Sequence, residues 1–105
     1  MIVRKRNGTI QYWSAGSQKL YGWGADAVLG MNSHRLFNTV FPVPLNVIEA
    51  ELGRKGHWDG QLIHERRDGS KIAVASHWVL QQNPISNEHP FTVIEINRWS
   101  HVEAL

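Results

Sequence analysis

Residues 58–81, WDGQLIHERRDGSKIAVASHWVLQ, decide the fold. Two runs of strand-forming residues flank a single turn signal, Arg67-Asp68-Gly69-Ser70. Asp-Gly suits a tight hairpin because both residues tolerate the positive φ of a primed turn. A strand turns successive side chains to opposite faces. Before the turn, that rule sets Trp58, Gly60, Leu62, His64 and Arg66 against Asp59, Gln61, Ile63 and Glu65. After it, Ile72, Val74, Ser76, Trp78 and Leu80 alternate with Ala73, Ala75, His77 and Val79. The second arm is apolar on both sides, which predicts a central strand covered on each face. A lone hairpin is marginal in water, so the rest of the chain has to pack on it.

Upstream, Ile2 to Lys5 reads as a short strand closed by the hairpin signal Asn7-Gly8. Thr9 to Trp13 follows as a second strand with Ile10 and Tyr12 on one face. Ser14 is placed to cap a helix that carries Leu20 and Tyr21 and ends at Gly22. Ala25 to Leu29 forms a second short helix stopped by Gly30, and Ser33 to Phe37 a further turn. Asn38 to Val43 reads as loop. Pro44 sits at a first helical position, and Leu45, Ile48 and Leu52 give an apolar stripe at helical spacing. Gly53 and Gly56 bracket the basic end Arg54-Lys55, whose charges complement the helix dipole. Beyond the long hairpin, Asn83 to Pro90 reads as a polar loop and Phe91 to Asn97 as the last strand. Residues 1–97 are then one domain, and Arg98 to Leu105 a tail or the start of a linker helix. Strands at both ends with helices between them predict an α+β fold, an antiparallel sheet with helices packed on one face.

The composition agrees with a single domain. A chain of 105 residues has room for one core, and 42% hydrophobic against 19% charged residues is ordinary for a globular protein. The net charge of +2 is scattered, apart from Arg4-Lys5-Arg6 and Arg66-Arg67, which describes a solvated surface rather than a nucleic-acid patch. No cysteine is present, which excludes disulfides, thiolate nucleophiles and Cys-ligated metals. No apolar run has the length of a membrane span and no signal-peptide pattern opens the chain, so the expectation is a cytoplasmic protein without membrane contact.

The six histidines include no His-x-x-x-His pair, so no metal site is expected. His64 and His77 lie on the two arms of the hairpin, within reach of facing each other, but Glu65 falls on the opposite face from His64. Asp59, Glu65 and Asp68 sit on a strand and a turn, where solvated carboxylates are normal, and no nucleophile–base spacing is recognisable. The chain is therefore not expected to be an enzyme. The enzyme alternative is a small α+β catalyst with a buried acid/base pair. Trp13, Trp23, Trp58 and Trp78 supply large apolar area to the fold, and Trp99, beyond the last strand, is the candidate for an exposed contact.

Five pieces of the chain together resemble a PAS domain: GTIQYWSAGSQKLYGW, ADAVLG, the helix ending in GRKGHWDGQL, HERRDGSKIAVAS and FTVIEIN. The first resembles the family's strand, Trp-Asn, small residues and Leu-Tyr-Gly-Tyr/Trp, and the fourth its Arg-Arg/Lys-Asp-Gly-Ser turn. Ser14 stands where the family commonly has Asn and keeps the capping chemistry. Asn97-Arg98-Trp99-Ser100 stands where the family runs into an Asp-Ile-Thr coupling element. The resemblance implies a five-stranded antiparallel sheet with short helices on one face. It implies a bacterial signal-sensing or protein-interaction module, of the kind found in sensor histidine kinases of two-component systems and in transcription regulators. Its core, with Leu20, Leu29, Leu36, Phe37, Phe41, Ile48, Leu52 and Trp78 as candidate lining, would hold a small ligand. The outer face of the sheet, with His77, Val79, Ile94, Ile96 and Trp99, would form a homodimer or meet an attached or partner output domain. No cofactor is expected. Haem on His34, which lies in the region of the family's haem-ligating histidine, and a non-covalent flavin are the alternatives, the first making a haem-based gas sensor. The cysteine needed by the light-sensing branch is missing.

Overall fold

The computed structural model describes residues 1–82 and 91–100. The polar loop expected at 83–90 and the end of the tail lie outside the described residues. In chain order the elements are β1 (Ile2–Lys5), β2 (Ile10–Trp13), α1 (Ala15–Tyr21), α2 (Ala25–Val28), α3 (Ser33–Leu36), α4 (Leu45–Lys55), β3 (His57–Glu65), β4 (Lys71–Gln82) and β5 (Phe91–Trp99). The strands form one five-stranded antiparallel sheet of order β2-β1-β5-β4-β3. The helices cover one of its faces, so the α+β expectation holds.

The β3–β4 hairpin pairs without a break from His57↔Val79 to Glu65↔Lys71. Its turn differs from the expected primed pair, because Gly69 alone takes positive φ, at 87°. Arg66 N donates to Ser70 O (2.7 Å) and Gly69 N to Arg66 O (2.9 Å), which makes a three-residue loop ending in a left-handed glycine. Asp68 Oδ1 fixes that loop by accepting from Ser70 N (2.9 Å) and Ser70 Oγ (2.6 Å). The first hairpin repeats the construction. Gly8 has φ 101°, and Asn7 Oδ1 accepts from the N and Oγ1 of Thr9 at 3.0 and 2.8 Å.

Between β1 and β2 the register slips: Val3 opposes Tyr12, but Arg4 opposes Ile10. Gln11 is thus an extra residue, a β-bulge that breaks the alternation. For this reason Ile10 and Tyr12 do not share a face. Ile10 and Trp13 are buried, whereas Tyr12 is 48% exposed.

Ser14 caps α1, its Oγ accepting from Ser17 N at 3.1 Å, and Gly22 ends it in the left-handed region. α4 starts after Pro44 and ends at Gly56 (φ 82°), with Gly53 inside the helix. Its Ile48 and Leu52 are buried and Leu45 packs beside them. They meet Trp58, Leu62, Val74, Trp78 and Val93 from the inner face of the sheet, with Tyr21, Val28 and Phe37 from the short helices. Trp58 and Trp78 lie with ring centroids 5.0 Å apart, an arrangement worth about 0.5–1.5 kcal/mol beyond the area it buries. β4 is an interior strand between β5 and β3, but the helices cover it on one side only, not on both as expected.

The last strand carries pairing two residues further than Asn97, with Arg98 opposite Ala75 and Trp99 opposite Val74. The last strand thus ends at Trp99 rather than at the expected Asn97.

Gly60 matters for space rather than for backbone freedom. The Trp58 ring lies across it, and a Cβ at this position would sit 2.4 Å from that ring. Gly60→Val is expected to displace Trp58 from Trp78 and to cost about 1–3 kcal/mol, a clear fall in melting temperature by calorimetry. An unchanged melting temperature would show that the indole has another place to pack.

Candidate functional site

Two features of the sheet carry chemistry: a polar cluster beneath its inner face and an open surface on its outer face. The cluster begins at β5. Period two places Val93 and Glu95 on the inner face, both buried, with half-buried Asn97 on the same side. Glu95 is compensated by Arg4 of β1, whose Nε donates to Oε1 at 3.0 Å with both side chains almost wholly buried. The Arg4 guanidinium also lies over the Trp78 ring, 4.4 Å from its centroid. Asn97 Nδ2 donates to the other carboxylate oxygen at 2.8 Å. Trp78 Nε1 donates to Ser76 Oγ (2.8 Å), and Ser76 Oγ donates to Asn97 Oδ1 (2.5 Å). A chain of donors thus runs from β4 through β5 and ends on one carboxylate. Burial alone would raise the pKa of Glu95, but Arg4, His64 and Asn97 together hold it below the ordinary value.

Two histidines complete the interior. His64 is fully buried, shares a hydrogen bond of 2.7 Å with the Tyr21 hydroxyl through Nδ1, and stacks on Phe37 at 4.2 Å. His34 lies between Phe41 (5.4 Å) and Trp78 (5.8 Å). Burial chiefly drives both imidazoles down to about 4, so both are neutral near neutral pH. Burial and the charge of Glu95 raise the pKa of Tyr21, which keeps its hydroxyl protonated. The Nε2 atoms of His34 and His64 and one terminal nitrogen of Arg4 are buried without a hydrogen-bond partner among the described residues.

Of the expected lining residues, Phe37, Ile48, Leu52 and Trp78 are core, and Leu20, Leu36 and Phe41 are half-buried against it. Leu29 is corrected: it caps α2 at the surface and is 49% exposed, because that helix ends one residue earlier than expected. Among the described residues, three clefts are open surface grooves, and none of these three is lined by His34, Phe37, Phe41 or Trp78. Phe41 and Trp78 both pack on the His34 ring.

His64 and His77 do not face each other. His64 opposes Ile72 on the inner face, and His77 opposes Asp59 on the outer one. There the Asp59 carboxylate contacts His77 Nδ1 and, at 3.4 Å, His57 Nδ1. The His77 hydrogen bond leads the causes that hold Asp59 below the usual carboxylate range. Among the described residues no group of three His, Asp or Glu side chains is arranged to hold a metal. Val79 opposes Ile94 and His77 opposes Ile96, so these four of the expected surface residues lie together. Trp99 does not join them. The extended strand keeps period two and puts it on the inner parity with Val93 and Glu95, where Arg66 stacks on it at 5.2 Å. A cleft of about 560 Å³ opens on the outer face between Asp59, Gln61, Ala75, His77, Ile96 and Arg98.

The Arg4–Glu95 pair is the interior feature that local sequence reasoning missed. Its one signal is a charged residue sharing strand parity with apolar neighbours, Ile2 for Arg4 and Val93 for Glu95.

Arg4→Met leaves Glu95 buried without its counter-charge and is expected to cost roughly 3–5 kcal/mol in urea unfolding. Arg4→Met combined with Glu95→Leu is expected to recover most of that. Equal losses in both would deny the pair its role. Stability also depends on pH with a defined sign. The unfolded histidines titrate near 6.5 and the folded ones near 4, so the unfolded chain binds protons first as pH falls. Stability is complete above the upper value and declines towards the lower one by up to about 1.4 kcal/mol per pH unit for each histidine. Urea midpoints across that window check this, and a flat profile would contradict the neutral buried imidazoles.

No protein-family model matches the chain, and no curated protein matches it in sequence. Solved structures do match. The PAS domain of a protein from Colwellia psychrerythraea is 23% identical with a TM-score of 0.75, covering 94% of this chain and 83% of that one. The PAS domain of an HTR-like protein from Haloarcula marismortui is 20% identical with a TM-score of 0.72, at 94% and 83% coverage. The LOV domain of the blue-light photoreceptor Aureochrome1 is 18% identical with a TM-score of 0.74, at 94% and 79% coverage. On a likeness that covers 94% of its length, the chain has the PAS fold.

Proposed function

We propose that this domain is a sensory or protein-interaction module that signals by association through the outer face of its sheet. The observation that carries this reading is the inversion of β5. That strand buries Glu95 and turns Ile94 and Ile96 outward, leaving Ile96 42% exposed. A strand that hides its charge and shows its isoleucines is built to have its outer side covered. Val79 of β4 and Val3 of β1 both oppose Ile94 and extend the apolar strip across three strands. Apolar area of this kind, rimmed by Asp59, His77 and Arg98, is the usual make-up of an interface.

The same strand links the two faces. Glu95 and Ile96 are adjacent, so any change that alters the Arg4–Glu95 packing moves the residue that presents Ile96. A ligand or partner that favours one packing of the core would shift the association equilibrium by its difference in affinity for the two packings. The occupant of the outer face in this reading is a second copy, or an output domain in the same or a partner protein.

Ile96→Glu places a charge in the middle of the strip without entering the core. The wild-type chain is expected to dimerise at micromolar concentration and Ile96→Glu to remain monomeric, by light scattering after size exclusion. A wild-type chain that is monomeric at high concentration would overturn the homodimer.

A further inference from the structure

The two edges of the sheet are finished differently. At β2 the chain covers its own edge: Ile10 N donates to Met31 O, Gly30 N to Ile10 O (both 2.9 Å) and Ser33 N to Gly8 O (2.8 Å). At β3 the cover is partial. Val40 N donates to Ile63 O (3.0 Å), Ile63 N to Val40 O (3.2 Å) and Glu65 N to Phe37 O (2.7 Å). Asn38, at φ 43°, turns the chain along this edge, and its Nδ2 donates to Glu65 Oε2 at 2.6 Å. Pro42 then has no N–H to continue the pairing, and the chain leaves for α4.

The bonds at Ile63 and Glu65 set the parity of the rest of β3. In an antiparallel ladder backbone groups alternate between the two sides, so those of Asp59 and Gln61 also point away from β4. Among the described residues they have no partner. Beside them lies a cleft of about 720 Å³ walled by Pro42, Val43, Val47, Ala50 and Trp58. Val47 is 51% exposed there, on the solvent side of α4.

We propose that Asp59 to Gln61 is a docking edge for an extended peptide segment of a partner protein. The segment adds as a sixth strand and places an apolar side chain in the cleft. The bare groups select the occupant, because another extended backbone returns donors and acceptors at this spacing. The cleft selects its side chains, because every second residue of the added strand faces the Val43–Val47 wall. A second copy of β3 answers the first requirement and not the second. Its residues on that parity are Trp58, Gly60 and Leu62, and the two large ones are committed to their own core. The site is separate from the outer face: the side chains of Asp59 and Gln61 belong to that face, and their backbones to the edge.

The test uses the isotope-labelled chain and a capped peptide of alternating threonine and valine flanked by lysines, followed by nuclear magnetic resonance. Shifts are expected on the amides of Asp59 and Gln61 and the methyls of Val43 and Val47, saturating at a Kd of about 1 mM or tighter. Gln61→Pro removes one edge donor at a position where proline is tolerated, and is expected to weaken binding at least tenfold. Val47→Asp, on an exposed helix face, is expected to do the same with an unchanged melting temperature. Ile96→Glu is expected to leave binding intact. The proposal is overturned by an absence of shifts at several millimolar peptide, or by shifts centred on Ile94 and Ile96. Equal binding of a peptide with proline in place of valine would also overturn it. So would edge amides that become protected by raising the protein concentration alone, since the occupant would then be a second copy.

Discussion

Glu95 is the constraint around which the domain is arranged. A carboxylate without solvent is tolerable only when its charge is matched and both oxygens are hydrogen-bonded. Arg4 meets the first need, and Arg4 with Asn97 the second. Because Arg4 sits on β1 and Glu95 on β5, the pair also specifies which strands are neighbours. Any strand order that separates β1 from β5 would leave one of them buried alone. Hydrophobic packing is forgiving about order, since a valine accepts many neighbours. A buried ion pair is not, and here it acts as a topological instruction at the centre of the sheet.

The aromatic layer is built onto the same pair. Trp78 receives the Arg4 guanidinium on its face, donates through its indole N–H into the chain that ends on Glu95, and packs against Trp58 and His34. Its neighbours therefore experience the polar cluster as well as the hydrophobic core. The two interior histidines stay uncharged chiefly because burial disfavours a positive charge; Arg4 adds to this at His34, while Glu95 opposes it at both.

The long hairpin was legible because period-two alternation over two arms leaves little freedom of register. Phe37, Ile48, Leu52 and Trp78 were legible as core because large apolar residues at helical or strand spacing have few other uses. Other features were hidden for definite reasons. The bulge at Gln11 adds a residue without any change of composition, so Tyr12 was placed on the wrong face. Leu29, and the face on which the exposed Trp99 lies, depended on where an element ends. The primed turns were misread because Asn-Gly and Asp-Gly serve a three-residue loop equally well. The Arg4–Glu95 pair spans 91 residues, and no local pattern joins its ends.

The position of β1 between β2 and β5 has a consequence for how the molecule is made. During synthesis the first hairpin emerges early, but its inner neighbour is the last strand of the domain. Until β5 is available, Arg4 has no counter-ion, one side of β1 is an open edge, and the outer hairpin β3–β4 has nothing to join it to β1. The sheet closes by inserting its final strand into its middle, a step dominated by long-range contacts and paid for in loop entropy. Folding of this domain is thus a late, cooperative event, and its partly made form presents both an unmatched charge and unpaired strand edges to the cell.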